Sequence, residues 1–162
     1  FDMNNRSDVP GYGWQIAHGA TALTESWQAY GFVSNNHFML GHLMEWFYSG
    51  LAGIRQGENG VAFKEIEIRP APAGDVTHAG ADYRSPYGLI KSYWKLNGQS
   101  TEMNVQIPVN TSATIYIPNP EKKMITEGGT SIEQHSEIRF FKYENGHSVY
   151  KIGSGSYSFS TN

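Results

Sequence analysis

Two polar residues in the first forty positions have the chemistry of a sugar-cleaving site. Glu25 is a carboxylate set among aromatic residues, and His37 follows about a dozen positions later, at the start of an apolar run. A carboxylate can act as a general base on water, and an imidazole can donate a hydrogen bond to a hydroxyl. Glycosidases of the usual kind need two carboxylic residues with opposed roles. The sequence presents no convincing second one, so it predicts half of a glycosidase site.

The residues around Glu25 are candidates for contacts to a sugar. Trp14 and Trp27 can provide an apolar wall, and Asn36 lies beside His37. Each residue also has an ordinary interpretation. Most glutamates are exposed surface groups, tryptophans pack in cores, and a histidine in the first turn of a helix can be a cap. The residues alone leave these alternatives open.

Composition predicts neither a cofactor nor a metal. The chain has no cysteine, which excludes disulfides and thiolate metal sites, and fits either the cytoplasm or the periplasm. His18, His37 and His42 match no metal-binding spacing. The net charge is −3 and no basic stripe is present, so we do not expect nucleic-acid binding. No apolar run approaches the ~20 residues that a membrane span needs, so no membrane association is expected.

The first 60 residues are predicted to be helical. Gly19 is suited to end a first helix, because a glycine in the left-handed conformation caps free carbonyl groups. The polar residues 34–36 can cap a second helix over 38–48, whose wide apolar face predicts burial. Two helices cannot cover such a face by themselves. We therefore expect the chain to be a piece of a longer protein.

From about residue 61 the pattern changes to the alternation of β-strands. Asn145-Gly146 is a strong signal for a two-residue hairpin turn. The Gly/Ala-rich passage 73–83 is interpreted as loop and strand edges. Strands are predicted at 63–68, 90–96, 103–107, 113–117, 139–143 and 148–152. Short strands separated by turns predict an antiparallel β-sandwich over 61–162, and hence an α+β chain.

Several blocks, in the same order, resemble one enzyme family. They are Gly19-Ala-Thr-Ala-Leu-Thr-Glu-Ser-Trp27, Asn35-Asn-His-Phe-Met-Leu-Gly41, Glu45-Trp-Phe-Tyr48, Leu51-Ala-Gly-Ile54 and Phe63-Lys-Glu-Ile-Glu-Ile-Arg-Pro70. Together they resemble the C-terminal part of bacterial α-L-rhamnosidases of glycoside hydrolase family seventy-eight. The resemblance covers nearly the whole chain.

The resemblance implies a fold, a reaction and roles for two residues. Residues 1–60 would be terminal helices of an (α/α)₆ catalytic barrel, and residues 61–162 a C-terminal antiparallel β-sandwich. Glu25 falls on the family's general base in an inverting hydrolysis, and His37 on a residue lining the rhamnose pocket. The substrate would be a rhamnose-containing oligosaccharide or glycoside. The remainder of the barrel, which supplies the general acid, would be the partner.

Two departures from the family pattern lie near the carboxylate. Thr24 and Ser26 replace the usual tryptophan and arginine that flank it, and the loop from Trp27 to Ser34 is short. Both departures are expected at the rim of the pocket, where they would affect the preference for the group attached to rhamnose. Two other functions stay open. One is a non-catalytic carbohydrate-binding or structural sandwich with a helical adaptor. The other is a different (α/α)₆ glycosidase.

Overall fold

The computed structural model describes residues 1–28 and 30–162 of the chain. These residues form two compact units, Phe1–Trp46 and Phe47–Asn162. The helices of the first unit are α1 (Asp2–Asn5), α2 (Tyr12–Ala17), a 3₁₀ helix (Phe38–His42) and α3 (Leu43–Trp46). The second unit begins with a π-helix (Phe47–Leu51) and continues as β-structure.

Helix α2 ends where the sequence predicts. Gly19 has a φ of +79°, in the left-handed region that glycine adopts without strain. Its N–H donates to the carbonyl of Ile16 at 3.0 Å, and the N–H of Ala20 donates to the carbonyl of Gln15 at 2.9 Å. This pair of bonds is the Schellman motif, which satisfies carbonyl groups at a helix end. The predicted helix stop is therefore confirmed.

The single second helix predicted over 38–48 is wrong in its form. The backbone is 3₁₀ in Phe38–His42, α-helical in Leu43–Trp46 and π-helical in Phe47–Leu51. The N-cap is His37, and no side chain caps it, in contrast to the capping residue expected at 34–36. Apolar spacing of three and four residues fits all of these helix types, so periodicity does not distinguish between them.

The apolar face of this second helix is not covered within the described residues. Leu40 is buried, but Phe38 is 89% exposed, and Met39 and Met44 are more than half exposed. This agrees with the expectation that two helices cannot cover such a face by themselves, because a unit of fewer than fifty residues encloses little volume.

The second unit is a sandwich of two sheets. Its strands are β1 (Ile54–Gln56), β2 (Glu65–Ile68), β3 (His78–Ser85), β4 (Gly88–Asn97), β5 (Ser100–Ile107), β6 (Ser112–Pro118), β7 (Ile125–Glu127), β8 (Thr130–Ser131), β9 (Arg139–Glu144), β10 (His147–Ile152) and β11 (Gly155–Thr161). One sheet has the order β1-β2-β6-β10-β9 and the other β3-β4-β5-β11-β7-β8.

Two details differ from the sequence-based expectation. Residues 54–56 fall in the part predicted to be helical, but they form β1, which pairs with β2. A strand of three residues is too short to show an alternating pattern, so periodicity does not reveal it. The sandwich is also not purely antiparallel, because β2 and β6 run parallel, with Glu65 opposite Ser112. The predicted hairpin turn is confirmed, since Asn145 and Gly146 both have positive φ.

The core lies between the two sheets. Leu51, which precedes β1, packs against this core, and Ala52 is buried beside it. Alternate side chains of β2, β4, β5, β6, β10 and β11 are buried in the core. On β4, the Trp94 indole Nε1–H donates to the carbonyl of Leu51 at 2.8 Å. The Ser92 hydroxyl donates to the carbonyl of Ala52 at 2.6 Å. These two bonds fix the backbone that leads into the sandwich.

Gly53 follows these two residues, and a substitution there tests how closely the backbone before β1 packs against the sandwich. Its φ is +79°, and a Cβ there would lie 2.2 Å from the backbone nitrogen of Pro70. Because both strain and a backbone clash oppose a side chain, Gly53→Ala should lower the free energy of unfolding by about 2 kcal/mol or more. Urea denaturation followed by circular dichroism measures this.

Gly153→Ala is the matched control for that variant. A Cβ at residue 153 would meet no described atom within 4 Å. This variant should stay within about 0.5 kcal/mol of the wild type. Equal stability of the two variants would contradict the close approach at Gly53.

Candidate active site

The segment around Glu25 is held by backbone hydrogen bonds to the segment before the 3₁₀ helix. The Glu25 N–H donates to the carbonyl of Ser34 at 2.9 Å. The His37 N–H donates to the carbonyl of Leu23 at 2.8 Å. Residues 23–25 and 34–37 therefore lie side by side, and we call them the bridged segments. The pairing brings the predicted base and the predicted pocket histidine into one small region.

The carboxylate of Glu25 is exposed and partly fixed. Its Oε2 accepts a hydrogen bond from the Ser34 N–H at 3.3 Å, in addition to the backbone contact between the same two residues. The side chain lies on the surface of the unit, where water can reach it. An anchored carboxylate with access to water has the arrangement that a general base requires.

Thr24 has a role that the sequence did not indicate. The sequence predicts it at the rim of a pocket, but its side chain is only 1% exposed, so that expectation is wrong. Its Oγ1–H donates to the carbonyl of Ser26 at 2.6 Å and closes a tight turn around Glu25. The Ser26 hydroxyl is itself enclosed, with no hydrogen-bond partner among the described residues. The buried Thr24 hydroxyl thus fixes the turn that carries the Glu25 carboxylate.

Tyr12 connects three parts of the first unit, and sequence reasoning missed it. Its hydroxyl donates to the carbonyl of Leu40 in the 3₁₀ helix. Burial raises the pKa of the Tyr12 phenol, so the group stays protonated and keeps donating. The Trp27 ring packs edge-on against the Tyr12 ring, with centroids 5.0 Å apart. Nothing in the local sequence marks this tyrosine, because its partners lie far away along the chain.

The other predicted site residues divide into two groups. His37 is half-buried and stacks on Phe38, and Asn36 is exposed with its N–H donating to the Ser34 hydroxyl at 3.2 Å. Both residues therefore belong to the bridged segments with Glu25. Trp14 lies in α2 and instead stacks on His18, the residue that follows this helix, with ring centroids 3.8 Å apart. No described contact joins Trp14 to Glu25.

Metal-ligating side chains do not converge in the described part of the chain. Among residues 1–28 and 30–162, no group of three or more His, Asp or Glu side chains has the geometry of a metal site. None of the described helices is long and apolar enough to span a lipid bilayer.

The two units match two domains of one enzyme family. Residues 1–51 match the bacterial alpha-L-rhamnosidase 6 hairpin glycosidase domain, and residues 53–131 match the bacterial alpha-L-rhamnosidase C-terminal domain. The chain belongs to the bacterial α-L-rhamnosidase family. The helical unit is therefore the end of an (α/α)₆ barrel, and the sandwich follows it.

Curated relatives cover the chain nearly from end to end. An alpha-L-rhamnosidase of Streptomyces avermitilis is 31% identical over 98% of the chain, and one of Formosa agariphila is 30% identical over 83%. In each case the chain spans only 15% of the relative's length.

Solved structures show the same fold. The Streptomyces avermitilis alpha-L-rhamnosidase complexed with L-rhamnose superposes with a TM-score of 0.85 at 27% identity, over 99% of this chain and 16% of that one. The alpha-L-rhamnosidase from Dictyoglumus thermophilum gives 0.85 at 29% identity, over 98% of this chain and 18% of that one.

The support that Thr24 gives to the bridged segments can be tested. Thr24→Val keeps the volume but leaves the partly buried Ser26 carbonyl without its donor, and the loss of such a hydrogen bond costs about 0.5–1.5 kcal/mol. Amide hydrogen exchange at Glu25 and His37 should then be about two- to tenfold faster. Thr24→Ser keeps the hydroxyl and should exchange like the wild type. Equal exchange in the valine and serine variants would contradict the role of this hydroxyl.

Proposed function

We propose that this chain is the C-terminal part of an inverting glycoside hydrolase that removes terminal α-L-rhamnose from α-L-rhamnosides. Glu25 is the general base. The observation that carries the proposal is the exposed Glu25 carboxylate, anchored by Ser34 and held next to His37. The family membership of the chain supports rhamnosides as the substrate class, since one similar enzyme was solved in complex with L-rhamnose.

The reaction follows from the chemistry of an anchored carboxylate. Glu25 accepts a proton from a water molecule as that water attacks the anomeric carbon. The bond between the anomeric carbon and the glycosidic oxygen breaks, and a second carboxylic group protonates the departing oxygen. Attack opposite to the leaving group inverts the anomeric centre, so the first product is β-L-rhamnose. The second carboxylic group lies in the part of the barrel that precedes these helices in the family.

The neighbouring side chains position the sugar. His37 and Asn36 supply hydrogen bonds to rhamnose hydroxyl groups, and their backbone is fixed in the same bridged segments as Glu25. Trp27, held edge-on by Tyr12, and Trp14, held by His18, supply apolar walls. Holding these groups in place before the sugar binds reduces the entropy lost on binding.

The rest of the barrel is the partner of the helical unit. Large apolar side chains of this unit are exposed at Ile16, Phe32, Phe38, Met39 and Met44. Exposed apolar side chains in this number mark a surface that another protein element covers. We assign that role to the preceding helices of the six-hairpin domain.

Replacement of the base tests the central assignment. In the longer enzyme, Glu25→Gln removes the proton acceptor but keeps an oxygen that can accept from the Ser34 N–H. The kcat on an aryl α-L-rhamnoside should fall about 10²–10⁴-fold with KM little changed. Glu58→Gln, a replacement of the same kind at an exposed turn, should leave kcat unchanged. Near-normal turnover by the Glu25→Gln variant would exclude Glu25 as the base.

The chain by itself is expected to be inactive. Purified residues 1–162 should not hydrolyse an aryl α-L-rhamnoside above the buffer rate, because the proton donor to the leaving group lies outside it. The release of the aryl group is followed by absorbance. Turnover that persists after purification and is lost in Glu25→Gln would mean that the acid lies within this chain.

A further inference from the structure

Tyr93 lies flat on the outer face of the six-stranded sheet. It is on β4, directly opposite Gly80 of β3. A Cβ at Gly80 would fall 2.1 Å from the Cδ1 atom of the Tyr93 ring, so the ring occupies the space of a side chain there. Glycine at residue 80 thus permits the ring to rest on the backbone of β3. The side chain as a whole is still 43% exposed.

The hydroxyl of Tyr93 is fixed as well as its ring. It donates to Oδ1 of Asp82 at 2.7 Å, and Asp82 also pairs with Lys91 at 3.4 Å. The hydrogen bond from Tyr93, with a smaller contribution from Lys91, lowers the pKa of the Asp82 carboxyl. The acceptor therefore stays ionised well into acidic solution. An aromatic ring held at both ends loses little conformational entropy when a ligand stacks on it.

Two shallow depressions share this ring as part of their lining. The larger has a volume of about 540 Å³ and the smaller about 320 Å³. Both volumes are in the range of ligand-binding clefts. Tyr93 and Asn104 line both depressions. Other polar side chains border them: His78 in the larger, and Gln106, Ser156 and Ser158 in the smaller.

The charged groups around the depressions nearly balance. The larger depression is lined by Lys95 and Glu102, and the smaller by Lys91 and Glu127. Asp82 adds one carboxylate beside the Tyr93 hydroxyl, where it pairs with Lys91. No positive field attracts an anion, and a single surplus carboxylate on an exposed surface is largely screened. The ligand that fits an aromatic platform between uncharged amide and hydroxyl groups is therefore neutral, with apolar C–H faces and many hydroxyls. Sugar rings have this chemistry.

We propose that the outer face of the six-stranded sheet binds a neutral carbohydrate chain, with Tyr93 as the stacking platform and Asn104 as the hydrogen-bonding residue shared by the two depressions. Successive sugar rings lie in the two depressions and the chain crosses the ring of Tyr93. Binding at this site involves no catalysis, so its test is independent of the role of Glu25.

Affinity electrophoresis of the 162-residue chain tests the site. Native gels contain dextran, β-1,4-galactan or galactomannan as neutral probes, and polygalacturonate as the acidic comparator. At least one neutral polysaccharide should retard the wild type. Tyr93→Ala should weaken that apparent affinity about tenfold or more, as expected for the loss of one stacking ring. Tyr93→Phe keeps the ring and should stay within about threefold.

Two further variants keep the test independent of folding. Asn104→Ala leaves Tyr93 and the core in place and should also weaken binding. Phe141→Ala removes a similarly exposed aromatic ring from β9, in the other sheet, and should bind like the wild type. Circular dichroism checks that each variant is folded.

Four results would overturn the proposal. They are no retardation by any neutral polysaccharide, retardation by polygalacturonate alone, unchanged affinity in either Tyr93→Ala or Asn104→Ala, and self-association that Tyr93→Ala abolishes. The last result, measured by analytical ultracentrifugation, would assign this face to contacts between copies of the chain.

Discussion

The pairing between residues 23–25 and 34–37 is the interaction on which the candidate site depends. It closes a loop of about ten residues, so two backbone bonds must offset the entropy of ordering the chain between them. Thr24 is buried in the unit, where its hydroxyl closes the turn to Ser26, and Glu25 faces solvent. The position of the carboxylate therefore follows from the paired backbone and the turn, and not from its own side-chain contacts alone.

The two units achieve stability in different ways. The sandwich encloses a continuous core of isoleucine, valine and aromatic side chains, and its β4 strand also binds the carbonyl groups of Leu51 and Ala52. The helical unit leaves large apolar side chains exposed. A barrel formed from many hairpins shares one core among them, so its last helices are not expected to bury their apolar faces alone. The sandwich, by contrast, buries apolar side chains between its own two sheets.

The sequence predicted those features that local chemistry determines. Gly19 ends α2 because a left-handed residue is needed there, and Asn145-Gly146 forms the hairpin turn for the same reason. The alternating runs became β2, β4, β5, β6, β9 and β10. The passage that forms β3 is interpreted from the sequence only as loop and strand edges, because two of its inward-facing residues, Ala79 and Ala81, are too small to give a clear alternating pattern.

Other features depend on residues far apart along the chain. The parallel pairing of β2 with β6, the hydrogen bond from Tyr12 to Leu40 and the burial of Thr24 have no local signal. Spacing alone also did not distinguish Glu25 from an ordinary surface glutamate. The ordered blocks around it did so by resemblance to a family. In the structure the carboxylate accepts a hydrogen bond from the Ser34 N–H, and the backbone of His37 lies in the bridged segments.

The most direct test of Glu25 as the general base is a crystal structure of the longer enzyme with an uncleaved α-L-rhamnoside analogue bound. We expect a water molecule within about 2.6–3.2 Å of a Glu25 carboxylate oxygen, on the face of the sugar opposite the leaving group. We also expect a second carboxyl group about 6.5–9.5 Å from Glu25, the separation of inverting enzymes. A Glu25 side chain directed away from the anomeric carbon, or a carboxyl separation of about 5 Å, would contradict the assignment.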